Sequence, residues 1–296
     1  MGSELGGETG RTVDEVHRES PAEGHWRTFA TFVAGTLAFS WGLWTLLLFE
    51  VVPSSLTVPL IMLGGFGPFV GAVIALRRSG RSVREWLRSN LRYRIPLRWY
   101  ALALVLPLVF IVVASVGYVT VFDGAYALGD VPPLWLFPLG LALTFFLGGG
   151  QEELGWRGFA QPALQDGLSA FSASLLVGVV WFVWHVPLFF VPGSSQAGVP
   201  MLPYAVGVVA TAVVLTWLYN ATGSLLVPWL YHASVNPAGG YFLAGTDGLQ
   251  TVAGYGSYTL LVVGVALVLL VHYGPADLAA RTRVRLADLV ETAAPG

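Results

Sequence analysis

Residues 134–157 read LWLFPLGLALTFFLGGGQEELGWR, an apolar run that continues through three glycines into two carboxylates and an arginine. A run of about 20 apolar residues is long enough to cross a bilayer. A charged side chain at the centre of a membrane helix costs about 2.5–3.5 kcal/mol on insertion scales, so it is rarely present without a use. The stretch therefore predicts a membrane fold and an active site within it.

The composition of the whole chain also indicates a membrane protein. Of its 296 residues 55% are hydrophobic and 11% are charged, whereas a typical soluble domain carries about 25% charged residues. We place helices over eight apolar runs, at approximately residues 27–50, 57–76, 99–121, 134–164, 170–191, 202–220, 224–243 and 257–273. These runs predict an all-α fold, a polytopic membrane bundle of about eight transmembrane helices.

The two ends of the chain are more polar than the rest. Residues 1–24 are rich in Gly, Glu, Ser and Thr and lack the features of a signal peptide, so we predict a disordered tail. A helical domain over residues 25–275 and a C-terminal tail over residues 276–296 follow. The chain has no cysteine, which excludes disulfides and thiolate metal sites, and its net charge of −2 argues against a nucleic-acid partner.

The positions of the arginines predict the orientation in the membrane. Eight arginines lie between the second and third predicted helices, from Arg77 to Arg98, and Arg281, Arg283 and Arg285 lie in the C-terminal tail. By the positive-inside rule these segments are cytoplasmic, and an even number of helices places both termini there. We expect a multi-pass protein of the cell membrane, whose arginines set the topology and contact lipid headgroups.

The charged cluster after the glycines contains an ion pair and a second carboxylate. Glu153 and Arg157 are four residues apart, so on a helix they share one face. A buried pair of this kind either fastens helices together or orders a neighbouring carboxylate. Glu152 points about 100° away from Glu153 and is free to act as a general base. The three preceding glycines allow a substrate or another backbone to approach closely.

Three more polar residues lie in later apolar runs. His185 follows Trp181 by one helical turn in an aromatic stretch, where a histidine is equally consistent with a packed core. His232 and Asn236 share a helix face, and they either bond neighbouring helices or form a donor pair for an oxyanion. With Glu152 they complete the set needed for attack of water on an amide: a base, a partner for it and two donors.

The order of these motifs resembles the CAAX protease and bacteriocin-processing (CPBP, or Abi) family of intramembrane endopeptidases, which includes the type II CAAX prenyl proteases. The resemblance covers roughly residues 130–245 and departs from the family pattern at Trp181, where the family usually has Phe. Both residues are aromatic, so the wall of the pocket is kept. The matching motifs are Glu152-Glu153-x3-Arg157, an aromatic-x3-His185 and His232-x3-Asn236.

The resemblance implies that residues 25–275 form a transmembrane protease domain, and that its substrate is a membrane-associated peptide or a lipidated protein C-terminus. We expect no cofactor. A zinc ion held by three of the six site residues (Glu152, His185 and His232) is the alternative, although no His-Glu-x2-His pair occurs on one helix. The implied roles cover all six residues: Glu152 and His185 polarise the attacking water, His232 and Asn236 stabilise the oxyanion, and Glu153 and Arg157 order the site.

Two other classes of function use the same buried polar groups. A membrane transporter would use them to bind its cargo and should show internal repeats, but the sequence contains no second Glu-Glu-x3-Arg pattern. A non-catalytic membrane scaffold would need only the apolar helices. Among substrates, the sequence does not select between a lipidated C-terminus, a bacteriocin leader and a membrane-protein segment.

Overall fold

The structure, a computed structural model, describes residues 21–290, and their side chains from residue 24 onwards. Within this range the chain forms helices and turns without a β-strand, which confirms the predicted all-α class. In chain order the helices are α1 (Pro21–Leu48), α2 (Thr57–Gly64), α3 (Gly67–Arg78), α4 (Val83–Asn90), α5 (Leu97–Val121), α6 (Phe137–Phe146), α7 (Glu153–Gly155), α8 (Gln161–Gln165), α9 (Ala170–His185), α10 (Met201–Thr222), α11 (Leu226–Ala238), α12 (Gly245–Leu249), α13 (Val252–Tyr273) and α14 (Leu286–Val290).

The described residues contain six helical stretches that are long and apolar enough to cross a membrane. The pair α2 and α3, bent by 41°, makes a seventh if it is one broken span. The polytopic helical bundle is thereby confirmed, and the predicted number of eight is approximate. The predicted helix over residues 224–243 is the one that is too short to cross a membrane. The observed helix α11 has 13 residues and a length of only about 20 Å. The six stretches are Gly24–Leu48, Leu97–Val121, Leu128–Gln165, Ala170–Phe190, Met201–Thr222 and Val252–Tyr273.

The prediction of one continuous helix over residues 57–76 is wrong. The helix α2 ends at Gly64 and α3 begins at Gly67, with Pro68 in its first turn. Proline lacks an N–H and fits best at the start of a helix, so the sequence begins a new helix here. A Cβ at Gly67 would collide with Ser40 Oγ, and this close approach packs α3 tightly against α1.

The prediction of one continuous helix over residues 134–164 is also wrong. After α6 the chain bends, makes a single 3₁₀ turn over Gly150–Glu152 and enters α7. Gly149 has φ +136°, a backbone conformation that residues with a side chain rarely adopt. A π-helical turn, Trp156–Ala160, then joins α7 to α8, and such turns are frequent at functional sites. The two carboxylates therefore lie at the start of a buried helix.

Arginines from four separate segments line one pocket of the bundle. This pocket of about 850 Å³ is lined by arginines from α1, α3, the loop after α3 and the C-terminal segment (Arg27, Arg78, Arg81 and Arg285). Three of the arginines counted from the sequence, Arg78, Arg81 and Arg285, thus line one pocket.

The C-terminal segment is attached to the helices by hydrogen bonds. Buried Asn220 donates to Gln165 Oε1 and to the Asp277 carbonyl, both at 2.9 Å. Residues 1–20 of the predicted N-terminal tail and residues 291–296 lie outside the described residues.

Candidate active site

One cavity of about 550 Å³ lies within the apolar helices and collects four of the predicted site residues. Glu152 comes from the turn before α7, His185 from the end of α9, and His232 and Asn236 from α11. The first three are 7%, 6% and 4% exposed, whereas Asn236 is exposed. Aromatic and aliphatic side chains make up much of the wall, among them Trp44, Ile111, Leu188, Tyr204, Val208 and Tyr258.

Glu152 is held by a tryptophan from the neighbouring helix. Its Oε2 accepts a hydrogen bond of 3.0 Å from the indole N–H of Trp181 in α9. A hydrogen bond to an ionised group is shorter and stronger than one between neutral groups, and burial strengthens it further. With Oε2 engaged, Oε1 is left as the second acceptor of a carboxylate that lines the cavity.

The ring of His185 is oriented by the backbone of its own helix. Its Nδ1 lies 2.8 Å from the carbonyl oxygen of Trp181. A carbonyl oxygen only accepts, so Nδ1 carries the proton, and in the neutral ring Nε2 is then an acceptor. Trp184 and Tyr204 pack edge-to-face on the imidazole, with ring centroids 4.7 Å and 5.5 Å away. In this tautomer His185 Nε2 is a hydrogen-bond acceptor beside the cavity.

Glu153 and Arg157 form the ion pair predicted from their spacing, and they lie behind the cavity rather than on its wall. Glu153 Oε1 is 3.1 Å from Arg157 Nη1 and 2.8 Å from His232 Nδ1. Both side chains of the pair are fully buried. The Arg157 guanidinium also lies 4.7 Å from the centre of the Trp181 ring, a cation–π contact. The pair therefore contacts the two side chains, His232 and Trp181, that face the cavity.

The other ring nitrogen of His232 and the amide of Asn236 meet beside Gly149. A Cβ placed on Gly149 would lie 2.9 Å from His232 Nε2 and 2.5 Å from Asn236 Nδ2. The Asn236 amide also donates to the Gly148 carbonyl at 2.7 Å, which uses one of its two N–H groups. His232 Nε2 and Asn236 Nδ2 therefore lie close to the same point in space, beside the Cα of Gly149, where no side chain is present.

The sequence does not identify two residues of the candidate site, Gly149 and Trp181. The glycine run gave a general signal for close approach, but it did not single out Gly149. The sequence indicates only an aromatic wall at Trp181. In the structure its indole N–H donates to Glu152, its backbone carbonyl accepts from His185, and its ring packs on His232 with centroids 5.2 Å apart. Its departure from the usual Phe was the available signal.

Within residues 21–290, no group of three or more His, Asp or Glu side chains is arranged to hold a metal ion. Zinc requires its ligands to converge at about 2.0–2.2 Å from one point. The expectation of no cofactor and the zinc alternative of Glu152, His185 and His232 both stay predictions.

The buried ion pair makes a testable contribution to stability. Arg157→Ala is expected to destabilise the protein by about 3–5 kcal/mol, because it removes the arginine from a buried ion pair and leaves Glu153 with His232 alone. The double variant Glu153→Gln/Arg157→Met should recover part of that loss, since both charges are then removed together. Thermal unfolding in detergent measures both effects, with the exposed Arg84→Ala as control. An Arg157→Ala protein as stable as the wild type would contradict a charged buried pair.

Similarity to known proteins covers the segment that builds this site. Residues 133–238, roughly a third of the chain, match the family model described as type II CAAX prenyl endopeptidase Rce1-like. The chain is also 34% identical over 123 residues to the CAAX prenyl protease 2 of Methanococcus maripaludis, an alignment that covers 39% of this chain and 43% of that relative. This chain thus spans less than half the length of the curated relative that it matches.

The matched segment includes all six site residues predicted from the sequence, from Glu152 to Asn236. It also agrees closely with the range of roughly 130–245 over which the motifs indicate a resemblance. The resemblance to the CAAX protease family is therefore confirmed for this part of the chain.

Proposed function

We propose that this protein is an intramembrane endopeptidase of the CAAX prenyl protease type. The observation that carries the proposal is the cavity in which Glu152, His185, His232 and Asn236 come together within apolar helices. The match of residues 133–238 to the Rce1-like family supports it independently. Polar and ionisable side chains in hydrocarbon are costly, so four of them around one cavity favour a catalytic site over incidental polarity.

In the proposed reaction, Glu152 and His185 activate a water molecule. Glu152 Oε1 and His185 Nε2 accept hydrogen bonds from the water, and the carboxylate takes one of its protons as the oxygen attacks the scissile carbonyl carbon. The C–N bond then breaks, and the proton held by Glu152 passes to the leaving amine. The orientation of His185 by the Trp181 carbonyl supports this role, because it leaves Nε2 as the acceptor.

His232 and Asn236 stabilise the negative charge that develops on the carbonyl oxygen. A protonated His232 donates from Nδ1 to Glu153 and from Nε2 to the oxyanion, while Asn236 contributes an amide N–H. Support comes from the convergence of both nitrogens beside Gly149. Glu153 and Arg157 order the site without reacting.

The proposed reaction uses no metal ion, and its substrate is a prenylated protein C-terminus at the membrane surface. The name of the similar archaeal protein supports this substrate class. We further propose that the arginine-rich segments face the cytoplasm of a cell membrane, with both termini on that side. A cytoplasmic opening would admit a lipidated C-terminus from the side on which such proteins are anchored.

The proposal is tested with the purified protein in lipid vesicles and two fluorescent peptides, a farnesylated CAAX peptide and its unprenylated counterpart. We expect cleavage of the farnesylated peptide after the modified cysteine, identified by product mass, and an unchanged rate in the presence of 1,10-phenanthroline. A rate abolished by the chelator and restored by Zn²⁺ would overturn the metal-free mechanism. Equal cleavage of both peptides would overturn the prenylated substrate, and no cleavage of either would favour a scaffold or transporter.

A further inference from the structure

We infer that Trp181 is a positioning residue that orients the Glu152 carboxylate for water activation, an inference that rests on the proposed function. The bond that carries it is the 3.0 Å hydrogen bond from the indole N–H to Glu152 Oε2. The two residues are 29 positions apart and come from different helical segments. The bond therefore sets the position of the carboxylate relative to α9, the helix that also carries His185.

The indole is held in place by its neighbours, so the direction of its N–H is fixed. The Arg157 guanidinium lies 4.7 Å from the ring centre, and the rings of His232 and His185 lie 5.2 Å and 5.8 Å away. The ring of Trp156 also contacts it, with ring centroids 6.5 Å apart. Trp181 itself is only 4% exposed. Because the indole is fixed by this packing, its N–H determines the position of the Glu152 carboxylate.

Other tryptophans in the described residues show that this bond is specific. The indole nitrogens of Trp44, Trp184 and Trp217 are buried, and none has a hydrogen-bond partner among residues 21–290. The fold thus accommodates several indole groups for their apolar surface alone. At Trp181 the N–H instead meets the one carboxylate that lines the cavity. A phenylalanine at this position would keep an aromatic wall but would supply no donor.

The first test is Trp181→Phe, assayed on the farnesylated peptide. We expect kcat to fall by about 10- to 100-fold, the usual effect of losing a hydrogen bond to a charged group. KM should stay close to its wild-type value, because the aromatic wall remains. The matched control is Trp217→Phe, which removes the same atoms from an indole that packs on Trp99 and Tyr273, away from the cavity. It should leave both parameters unchanged.

A second variant separates the N–H from the shape of the ring. Replacement of Trp181 by 3-benzothienylalanine puts sulfur in the place of the indole N–H and preserves the two fused rings and their packing on Arg157. If positioning depends on the hydrogen bond, this protein loses as much kcat as Trp181→Phe and keeps the melting temperature of the wild type. Full activity of the benzothienyl protein would overturn the inference.

Failure of this inference is distinguishable from failure of the proposed function. Full activity of Trp181→Phe alongside an inactive Glu152→Gln variant would overturn the role of Trp181 and leave the protease mechanism intact. Full activity of both variants would overturn the mechanism itself. If Trp181→Phe unfolds, the benzothienyl protein gives the answer, since it retains the volume of the buried ring.

Discussion

Glu152→Gln is expected to lower kcat for cleavage of a farnesylated CAAX peptide by about 10²–10⁴-fold, the range usual for loss of a general base. The amide has nearly the size of the carboxylate, and its carbonyl oxygen can still accept the N–H of Trp181. The substitution therefore preserves the packing around the 3.0 Å bond. What it removes is the capacity to take a proton from water. Steady-state kinetics in vesicles measure the loss.

Glu85→Gln is the matched control for this prediction. Glu85 lies in the first turn of α4, away from the cavity. We expect wild-type kinetics for it and an unchanged melting temperature for both variants. Cleavage by the Glu152→Gln protein at the wild-type rate would rule out Glu152 as the base, and the shared cavity would then be better explained by a binding function.

The polar residues of the candidate site stand out in the sequence because their signal is local. In an apolar chain each charged or amide side chain is conspicuous, and spacings of four residues place Glu153 with Arg157 and His232 with Asn236 on common helix faces. The ion pair at 3.1 Å confirms the first of these spacings. The hydropathy pattern was equally informative for α5 and α10, whose observed ends lie within a few residues of the predicted ones.

What the sequence did not reveal depends on contacts between distant segments. The hydrogen bond between Trp181 and Glu152 joins residues of two helical segments, and no periodicity encodes how these segments are aligned. The breaks after Phe146 and Gly64 were missed for a related reason. Glycine and proline are tolerated within membrane helices when neighbours re-satisfy the backbone, so only the packing decides whether a helix continues. The conformation of Gly149 follows from such a break.

Gly149→Ala is expected to lower kcat by about 10²–10³-fold, as does the loss of an oxyanion-hole donor. The new Cβ would lie 2.5 Å from Asn236 Nδ2 and 2.9 Å from His232 Nε2, so both donors would have to move. It would also occupy the point at which the oxyanion is proposed to form. In addition, alanine is strained at φ +136°, which we expect to cost about 1–3 kcal/mol of stability.

Gly117→Ala separates the effect on the site from the general effect of adding a methyl group. Gly117 lies within α5, and a Cβ there meets nothing within 4 Å. Alanine stabilises a helix interior more than glycine does, so this variant should be as stable as the wild type or more so, with unchanged kinetics.

Because strain at Gly149 lowers stability as well, kcat is compared at a temperature where the circular dichroism of both variants equals that of the wild type. If Gly149→Ala then cleaves at the wild-type rate, His232 and Asn236 do not stabilise an oxyanion beside Gly149. A folded protein with unchanged KM and the expected loss of kcat would instead support an oxyanion site at this glycine.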